Sequence, residues 1–266
     1  MKTPLTFLLA LTFLFLFSGS VYGDDFLDGI DEYKRKYYKE AVRIFLPLAE
    51  KGDRWAQSML GSMYDKGEGV SQDYKEAVKW FRLSAEQGLS LSQYTLGLMY
   101  FNGQGVPQDY KEAVRLYRLS AEQGYAGGQL NLGAMYDKGQ GVPQDYKEAV
   151  RLYSLSAEQG NATAQNNLGI MYYNGTGVPQ DYKEAVKWYR LSAEQGNALG
   201  QYNLGNMYAK GTGVLQDYVS AHMWWNICGV DGDKKCVKFR DTAEMKMTPS
   251  QIEKAQDMAR NWKPKK

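Results

Sequence analysis

The sequence is poor in the residues that most enzymes and metal centres use. Its 266 residues include one histidine, His222, and two cysteines, Cys228 and Cys236. A single histidine cannot build the usual zinc cluster of hydrolases, and two cysteines without a neighbouring histidine pair make a poor zinc site. We therefore predict no catalytic residue, no metal and no cofactor. We expect His222 to be a partly buried packing residue and not a catalytic base.

The net charge is also small. The formal net charge is only +2, from 32 basic and 30 acidic residues. A chain this close to neutrality has no electrostatic footprint for nucleic acid, which excludes DNA and RNA as expected partners. The small basic tail, residues 263–266, is interpreted as a solvated chain end.

The most apolar stretch lies at the amino terminus and is too short to span a bilayer. Lys2 precedes an apolar run over residues 5–17, and small residues follow up to Gly23. A membrane-spanning helix needs about 20 apolar residues. The pattern is typical of a signal peptide cleaved after Gly23, with an uncleaved anchor as the alternative. We expect a periplasmic or secreted protein without stable membrane insertion, and no cysteine follows the run to carry a lipoprotein lipid.

What the sequence has in abundance is repetition with a period of 36 residues. A Gln-Asp-Tyr segment recurs five times between Gln72 and Gln216, and a Leu-Gly-x-Met-Tyr block recurs between Gly61 and Gly205. A fixed period of this length indicates a stacked array of small units that bury their apolar faces against one another. The pattern therefore predicts a solenoid.

Each unit has the pattern of two helices joined by a glycine loop. In the copy from Asn161 to Gly196, small and apolar residues recur at helical spacing before Gly175, which ends the first helix. Asp181 and Glu184 are expected to open the second helix as an N-cap with its reciprocal acid, followed by solvated charge pairs four residues apart. Gly169 lies inside the first helix, where glycine costs about 1 kcal/mol relative to alanine. Its recurrence predicts close approach between the two helices.

The unit A-x-x-Q-x-x-L-G-x-M-Y-x-x-G-x-G-V-x-Q-D-Y-x-E-A, which ends S-A-E-Q-G, resembles the Sel-one-like repeat, a relative of the tetratricopeptide repeat. The resemblance implies an all-α fold, a right-handed α/α solenoid of tandem helix hairpins that works as a non-enzymatic adaptor. Residues 53–232 are expected to form five repeats after an N-terminal partial repeat at residues 24–52. A half-repeat and a capping helix from Ser250 to Trp262 are expected within residues 233–266.

The two cysteines lie eight residues apart, late in the chain. In an exported protein such a pair is more often bridged than free. The spacing also resembles that of the cysteine-rich Helicobacter proteins of this superfamily, which implies a disulfide between Cys228 and Cys236. Those relatives are associated with β-lactam binding and hydrolysis, an alternative function that lacks its Ser-x-x-Lys motif here. A structural protein associated with the cell wall is a third reading.

Differences among the five copies predict where a partner would bind. Positions three, six, ten and thirteen of the first helix vary freely and share one helix face, opposite the repeated core stripe. We expect this face to line the concave groove of a monomer and to contact a protein or peptide ligand. The alternative is that these side chains pack against the adjacent repeat. The predicted contacts are the large apolar and aromatic residues of these rows: Trp55, Leu91, Tyr94, Leu98, Phe101, Leu130, Ile170, Tyr173, Leu199 and Tyr202.

Overall fold

The computed structural model describes residues 24–230 and 233–265, and all regular secondary structure in them is α-helical. The predicted signal peptide, residues 1–23, and the predicted end of the fifth repeat at residues 231–232 lie outside the described residues. Within the part of the chain that is described, no helix is both long and apolar enough to cross a bilayer.

The described residues form two compact units that divide between Gln87 and Gly88. The described helices of the first unit are α1 (Asp24–Lys34), α2 (Tyr38–Glu50), α3 (Arg54–Lys66) and α4 (Tyr74–Glu86). Those of the second unit are α5 (Ser90–Asn102), α6 (Tyr110–Glu122), α7 (Ala126–Lys138), α8 (Tyr146–Glu158), α9 (Ala162–Asn174), α10 (Tyr182–Glu194), α11 (Ala198–Lys210), α12 (Tyr218–Cys228), α13 (Lys234–Glu244) and α14 (Pro249–Asn261).

Within each unit the helices pack in chain order. In the first unit α1 contacts α2, α2 contacts α3, and α3 contacts α4. In the second unit each helix from α5 to α12 contacts the next one along the chain, and α14 packs back onto α12. The odd-numbered helices from α3 to α11 are the first helices of the repeats, and the even-numbered helices from α4 to α12 are the second helices. These successive hairpins confirm the predicted all-α solenoid.

The interior of each hairpin is built on the ninth-position glycine. In every repeat, a Cβ added to this glycine would lie 2.6–3.0 Å from the aromatic side chain of the second helix. The pairs are Gly61 with Phe81, Gly97 with Tyr117, Gly133 with Tyr153, Gly169 with Tyr189, and Gly205 with Trp225. The predicted close approach of the two helices is confirmed, because the ring packs directly on the backbone of the first helix.

Two polar contacts tie the helices of a hairpin together at a sequence separation of 30 residues. In the fourth repeat, Ser192 Oγ donates to the carbonyl of Ala162 at 2.6 Å, and Gln195 Nε2 donates to Gln165 Oε1 at 2.8 Å. Gln165 is buried, and its Nε2 donates in turn to the carbonyl of Ala157 in the preceding repeat at 3.1 Å. Buried amides need partners, so these contacts account for the recurring serine and glutamine.

The glycine loop also joins one repeat to the next. Gly175 ends α9 in the left-handed conformation, with φ of 68°, and donates its N–H to the carbonyl of Met171. Gly177 has φ of 73° and lies against the carbonyl oxygen of Tyr146 at the start of α8, where a Cβ would clash. A residue with a side chain is therefore excluded at Gly177 by conformation and by space.

The second helices begin as predicted, but the spacing of their ion pairs differs from the predicted spacing. The carboxylate of Asp181 accepts hydrogen bonds from the backbone of Lys183 at 2.8 Å and of Glu184 at 3.1 Å. The predicted return contact of Glu184 to the cap is wrong, because its carboxylate pairs with Lys187 at 3.1 Å. The charge pairs of the second helices are consequently three residues apart and not four.

The carboxyl-terminal end of the second unit is covered by α14. Thr248 and Gln251 form a capping box that starts the helix, one residue before the predicted Ser250. The ring of Trp262 meets Trp224 of α12 edge-on, with centroids 6.1 Å apart. The described part of the basic tail is exposed, as interpreted from the sequence, and the ammonium of Lys265 pairs with Glu194 of α10 at 2.8 Å.

Candidate partner-binding face

One predicted contact, Trp55, belongs to the first unit. It lies on α3, is half-buried, and packs against the core of this unit. The guanidinium of Arg54 lies 5.8 Å from the centre of its ring, within the range of a cation–π interaction. Part of the Trp55 ring is thus already occupied by contacts within the protein.

The other nine predicted contacts lie on the first helices of the second unit. Leu199 is 61% exposed, and the remaining eight are half-buried: Leu91, Tyr94, Leu98, Phe101, Leu130, Ile170, Tyr173 and Tyr202. We call the set of positions three, six, ten and thirteen on α5, α7, α9 and α11 the variable face. Its large side chains are neither sealed in the core nor fully solvated.

Position six does not belong wholly to an open face. Asn166 on α9 is buried, and so is Ser58 at the same position in the first unit. Asn166 is covered because Asn203 of the next first helix donates to its Oδ1 at 2.9 Å. The prediction that all four rows share one open face is therefore wrong at these two residues.

Several residues of the variable face also hold the repeats together. Tyr94, Leu98 and Phe101 pack against the buried cluster that contains Tyr117. The ring of Tyr94 lies 5.2 Å from that of Tyr125 in the following repeat, and burial raises the pKa of the Tyr94 phenol. The alternative that these side chains pack between repeats is thus correct for their inner edges, while their outer edges remain accessible.

A chain of polar side chains that was not predicted from the sequence crosses the variable face. Tyr153 donates to Asp137 Oδ2 at 3.4 Å, and its hydroxyl also meets the amide of Asn167. Asn167 accepts from Asn166 at 3.4 Å, and Asn166 accepts from Asn203 at 2.9 Å. Burial, and then the charge of Asp137, raise the pKa of the Tyr153 phenol. The available signal was the asparagine at position seven of the last three repeats.

A pocket of about 270 Å³ opens where α9, α10 and α11 meet. Two predicted contacts, Ile170 and Tyr173, help to line it, together with residues that were not predicted: Tyr189, Asn203, Asn206 and Lys210. Burial, and then the neighbouring phenol of Tyr173, raise the pKa of Tyr189. The pocket therefore combines an apolar wall with neutral or positively charged hydrogen-bonding groups.

His222 is completely buried, more than the sequence analysis expected. Its Nε2 lies 2.9 Å from Oε1 of Glu244, which ties α12 to the end of α13. A side chain sealed in this way cannot meet a substrate, so the histidine has a packing role.

Cys228 and Cys236 are bonded to each other, with Cα atoms 5.8 Å apart, as the resemblance implied. Cys228 occupies the position that Ser192 holds in the preceding repeat, so the bond stands where the serine contact would be. Asp233 lies within 4.8 Å of both sulfurs, but its carboxylate accepts from the backbone of Lys235 and Cys236. Sulfurs joined in a disulfide do not serve as thiolate ligands. The disulfide crosslinks the end of α12 to α13.

Comparisons with known proteins agree with this architecture. The model of the Sel1 repeat matches five consecutive segments: residues 56–89, 90–125, 126–161, 162–197 and 198–227. A crystal structure of a Sel1 repeat protein from Oxalobacter formigenes is similar with a TM-score of 0.79 and 32% identity, covering 90% of this chain and 97% of that chain. A protective antigen of uropathogenic Escherichia coli strains with an SLR fold is 30% identical, with a TM-score of 0.39, over 85% of this chain and 64% of that chain. No curated protein matches the sequence.

Proposed function

The chain belongs to the Sel1 repeat family, and from this premise we propose that it is a non-enzymatic scaffold that captures a protein or peptide along the variable face. Sel1 repeat proteins are in general non-catalytic scaffolds, and their fold commonly mediates protein interactions. The proposal assigns the binding to the second unit, where nine of the ten predicted contacts lie.

The observation that carries the proposal is the accessibility of large apolar side chains at variable positions. Leu199 is 61% exposed, and Phe101 on α5 and Tyr202 on α11 are half-buried on the same face. Aromatic and large apolar side chains with an accessible edge are the residues that contribute most at protein interfaces. The second helices also carry exposed apolar residues, such as Leu155 and Leu191, but these recur at the same position in successive repeats and lie among repeated ion pairs such as Glu148 with Arg151 at 2.7 Å.

Binding along this face would use a surface that already exists. The inner edges of Tyr94 and Phe101 are held by packing against the core of their repeats. A partner would therefore meet pre-ordered side chains and lose little affinity to ordering the scaffold. We expect an extended segment to suit this arrangement, since successive repeats present one contact after another along the array.

The test is a display selection of peptides on the whole chain, followed by affinity measurements on three variants. Leu91→Glu and Leu199→Glu place a charge at two separate repeats of the variable face. Leu191→Glu is the matched control, because Leu191 is 39% exposed but lies on the second helix α10. We expect each selected peptide to lose about tenfold or more in affinity with at least one of the first two variants and to tolerate the control.

Peptides that bind all three variants like the unaltered chain would overturn the assignment to the variable face. Failure to select any peptide that binds the folded chain would overturn the scaffold proposal itself. Circular dichroism of the three variants checks that each remains folded, so that a loss of affinity reports on the surface.

We also propose that the protein acts outside the cytoplasm. The bonded pair Cys228–Cys236 supports this location, because disulfides persist in oxidising compartments. Amino-terminal sequencing of the protein purified from its native source should begin at Asp24. A native protein that retains residues 1–23 and carries two free thiols would contradict the proposal.

A further inference from the structure

We propose that the pocket between α9, α10 and α11 binds the side-chain carboxylate of an aspartate or glutamate in the partner. The inference rests on the proposed function and deepens it, because it names the chemical group that one part of the variable face recognises. Two adjacent repeats of the chain differ at this place in whether they supply a carboxylate of their own.

The third repeat supplies its own carboxylate to the corresponding place. There the hydroxyl of Tyr153 on the second helix donates to Oδ2 of Asp137, at position thirteen of the first helix, at 3.4 Å. The amide of Asn167, from the following first helix, also meets that hydroxyl. A carboxylate therefore already occupies the space between a tyrosine and an asparagine in this architecture.

The fourth repeat keeps the donors and lacks the acid. Tyr189 and Asn203 correspond to Tyr153 and Asn167, and the amide of Asn203, which gives one N–H to Asn166, has a second N–H to donate. Tyr173 stands where the third repeat has Asp137. The hydroxyl of Tyr189 thus faces a second phenol instead of a carboxylate, and a pocket of about 270 Å³ lies beside it. Burial raises the pKa of Tyr189, so its hydroxyl is protonated and can donate at neutral pH.

The charge of the pocket selects a carboxylate over a neutral group. Lys210 is at its rim, and none of the residues that line the pocket is acidic. Lys210 makes no ion pair with any residue in the described part of the chain. Asn206 adds an amide donor from the same helix, so a carboxylate could accept several charge-assisted hydrogen bonds at once.

The size of the pocket suits one side chain. Sites that enclose a whole small-molecule ligand have volumes of roughly 300–1,000 Å³, and this pocket is smaller. The apolar wall formed by Ile170 would contact the methylene groups of an acidic side chain while its carboxylate meets the polar end. A pocket of this size thus fits the acidic side chain of a residue in a larger partner.

The direct test is a titration of the full chain with capped amino acids, followed by NMR of the asparagine side-chain amides. N-acetylglutamate N-methylamide should give saturable shifts of the Asn203 and Asn206 amides with a Kd on the order of 1–10 mM, as expected for so small a ligand. The neutral isostere N-acetylglutamine N-methylamide should bind about tenfold more weakly. N-acetylglutamine with a free α-carboxylate tests a chain terminus as the source, and stronger binding of this probe would overturn the assignment to a side chain.

Two variants connect the binding to the pocket. Tyr173→Asp installs the carboxylate that the third repeat carries at Asp137, so it should occupy the site and abolish the glutamate-dependent shifts. The variant should fold, because the third repeat accommodates the same residue at the same position. Lys210→Gln removes an exposed charge and should weaken binding about three- to tenfold.

The absence of saturable shifts in the unaltered chain, or shifts that persist in Tyr173→Asp, would overturn the carboxylate site. If selected peptides still bind the variable face without any preference for acidic residues, the proposed function stands and the pocket assignment alone fails. If capped glutamate binds as expected but no peptide binds the variable face, the pocket stands and the scaffold proposal fails.

Discussion

The ring of Tyr189 occupies the space that a side chain at Gly169 would need: an added Cβ would lie 2.6 Å from Cδ1 and 2.7 Å from Cε1 of that ring. Glycine is unfavourable inside a helix, so its recurrence has a packing reason. The two helices of a hairpin approach one another because one of them carries no side chain at this position.

We predict that Gly169→Ala destabilises the protein. The added methyl group would force the buried ring of Tyr189 to move, and overpacking of this kind costs about 1–3 kcal/mol. The gain in helix propensity, about 1 kcal/mol, offsets part of that cost. The melting temperature and the urea midpoint should both fall.

A double-mutant cycle with Tyr189→Leu identifies the cause. Leucine is smaller than tyrosine, so the Gly169→Ala change should cost less in that background than in the unaltered chain. Equal costs in both backgrounds, or an unchanged melting temperature of the single variant, would show that the ring does not set the requirement for glycine.

The buried glutamine of each repeat should matter more than its exposed partner. Gln165→Ala removes the contact to Ala157 and leaves the amide of Gln195 with only its 3.4 Å contact to the carbonyl of Leu191, which should cost about 1–3 kcal/mol. Gln195→Ala takes the donor away from Oε1 of Gln165, but the loss of an exposed side chain lets water reach that oxygen, so the change should cost less than 1 kcal/mol, roughly the scale of surface changes. Urea denaturation of the two variants compares them, and equal losses would contradict a role for burial.

The disulfide should stabilise the carboxyl-terminal end of the second unit. Closing a loop of this size contributes roughly 2.5 kcal/mol in the chain-entropy model. In a Cys228→Ser, Cys236→Ser double variant, the amide hydrogens of α13 should exchange faster than they do in the unaltered chain. Exchange in α7, which is remote from the bond in sequence, should stay the same. Serine suits position 228, because Ser192 holds the equivalent position in the preceding repeat. Unchanged exchange in α13 would contradict a stabilising role.

The first unit should show a pH dependence that comes from Asp65. Burial raises the pKa of its half-buried carboxyl above 3.8, and the nearby charge of Lys66 lowers it by a smaller amount. Because the folded-state pKa is above the unfolded value, the folded state binds the proton more tightly, and this stabilising contribution is lost as pH rises through the raised pKa. Asp65→Asn should therefore melt at a higher temperature than the unaltered chain at pH 7.

The advantage of Asp65→Asn should disappear below about pH 4, where the carboxyl of the unaltered chain is protonated. Asp28→Asn, an exposed carboxylate of α1, is the matched control for loss of one charge. A difference between the Asp65 variant and the unaltered chain that stays constant with pH would contradict the assignment.

Local features of the hairpins could be predicted from the sequence because they depend on neighbouring residues. Asp181 indicated the start of α10 at Tyr182, and Gly175 indicated the end of α9. The capping helix α14 was expected from Ser250 to Trp262 and runs from Pro249 to Asn261. Helix caps and breaks are set by backbone conformation within a few residues, so one copy of the repeat suffices to locate them.

Contacts between repeats could not be predicted in the same way. Asn203 meets Asn166 across 37 residues, and this depends on how far one first helix is shifted along the next. The pocket beside Tyr189 is lined by Tyr173 of one repeat and by Asn203 and Lys210 of the next, a grouping that is visible only when the facing side chains are known. The helical period assigns a residue to a face, but it does not say which neighbour covers that face.

The contact of Gly177 with the carbonyl of Tyr146 affects how the number of repeats can change during evolution. Gly141, Gly177 and Gly213 meet the carbonyl of the tyrosine that opens the preceding second helix in the same way, so the junctions within the second unit are interchangeable. Recombination between two copies would remove or insert a whole number of 36-residue segments and recreate a native junction at the crossover. Copy number can thus change while the backbone contact at the glycine is kept, whereas position-specific contacts between repeats, such as that of Asn203 with Asn166, would have to be matched anew.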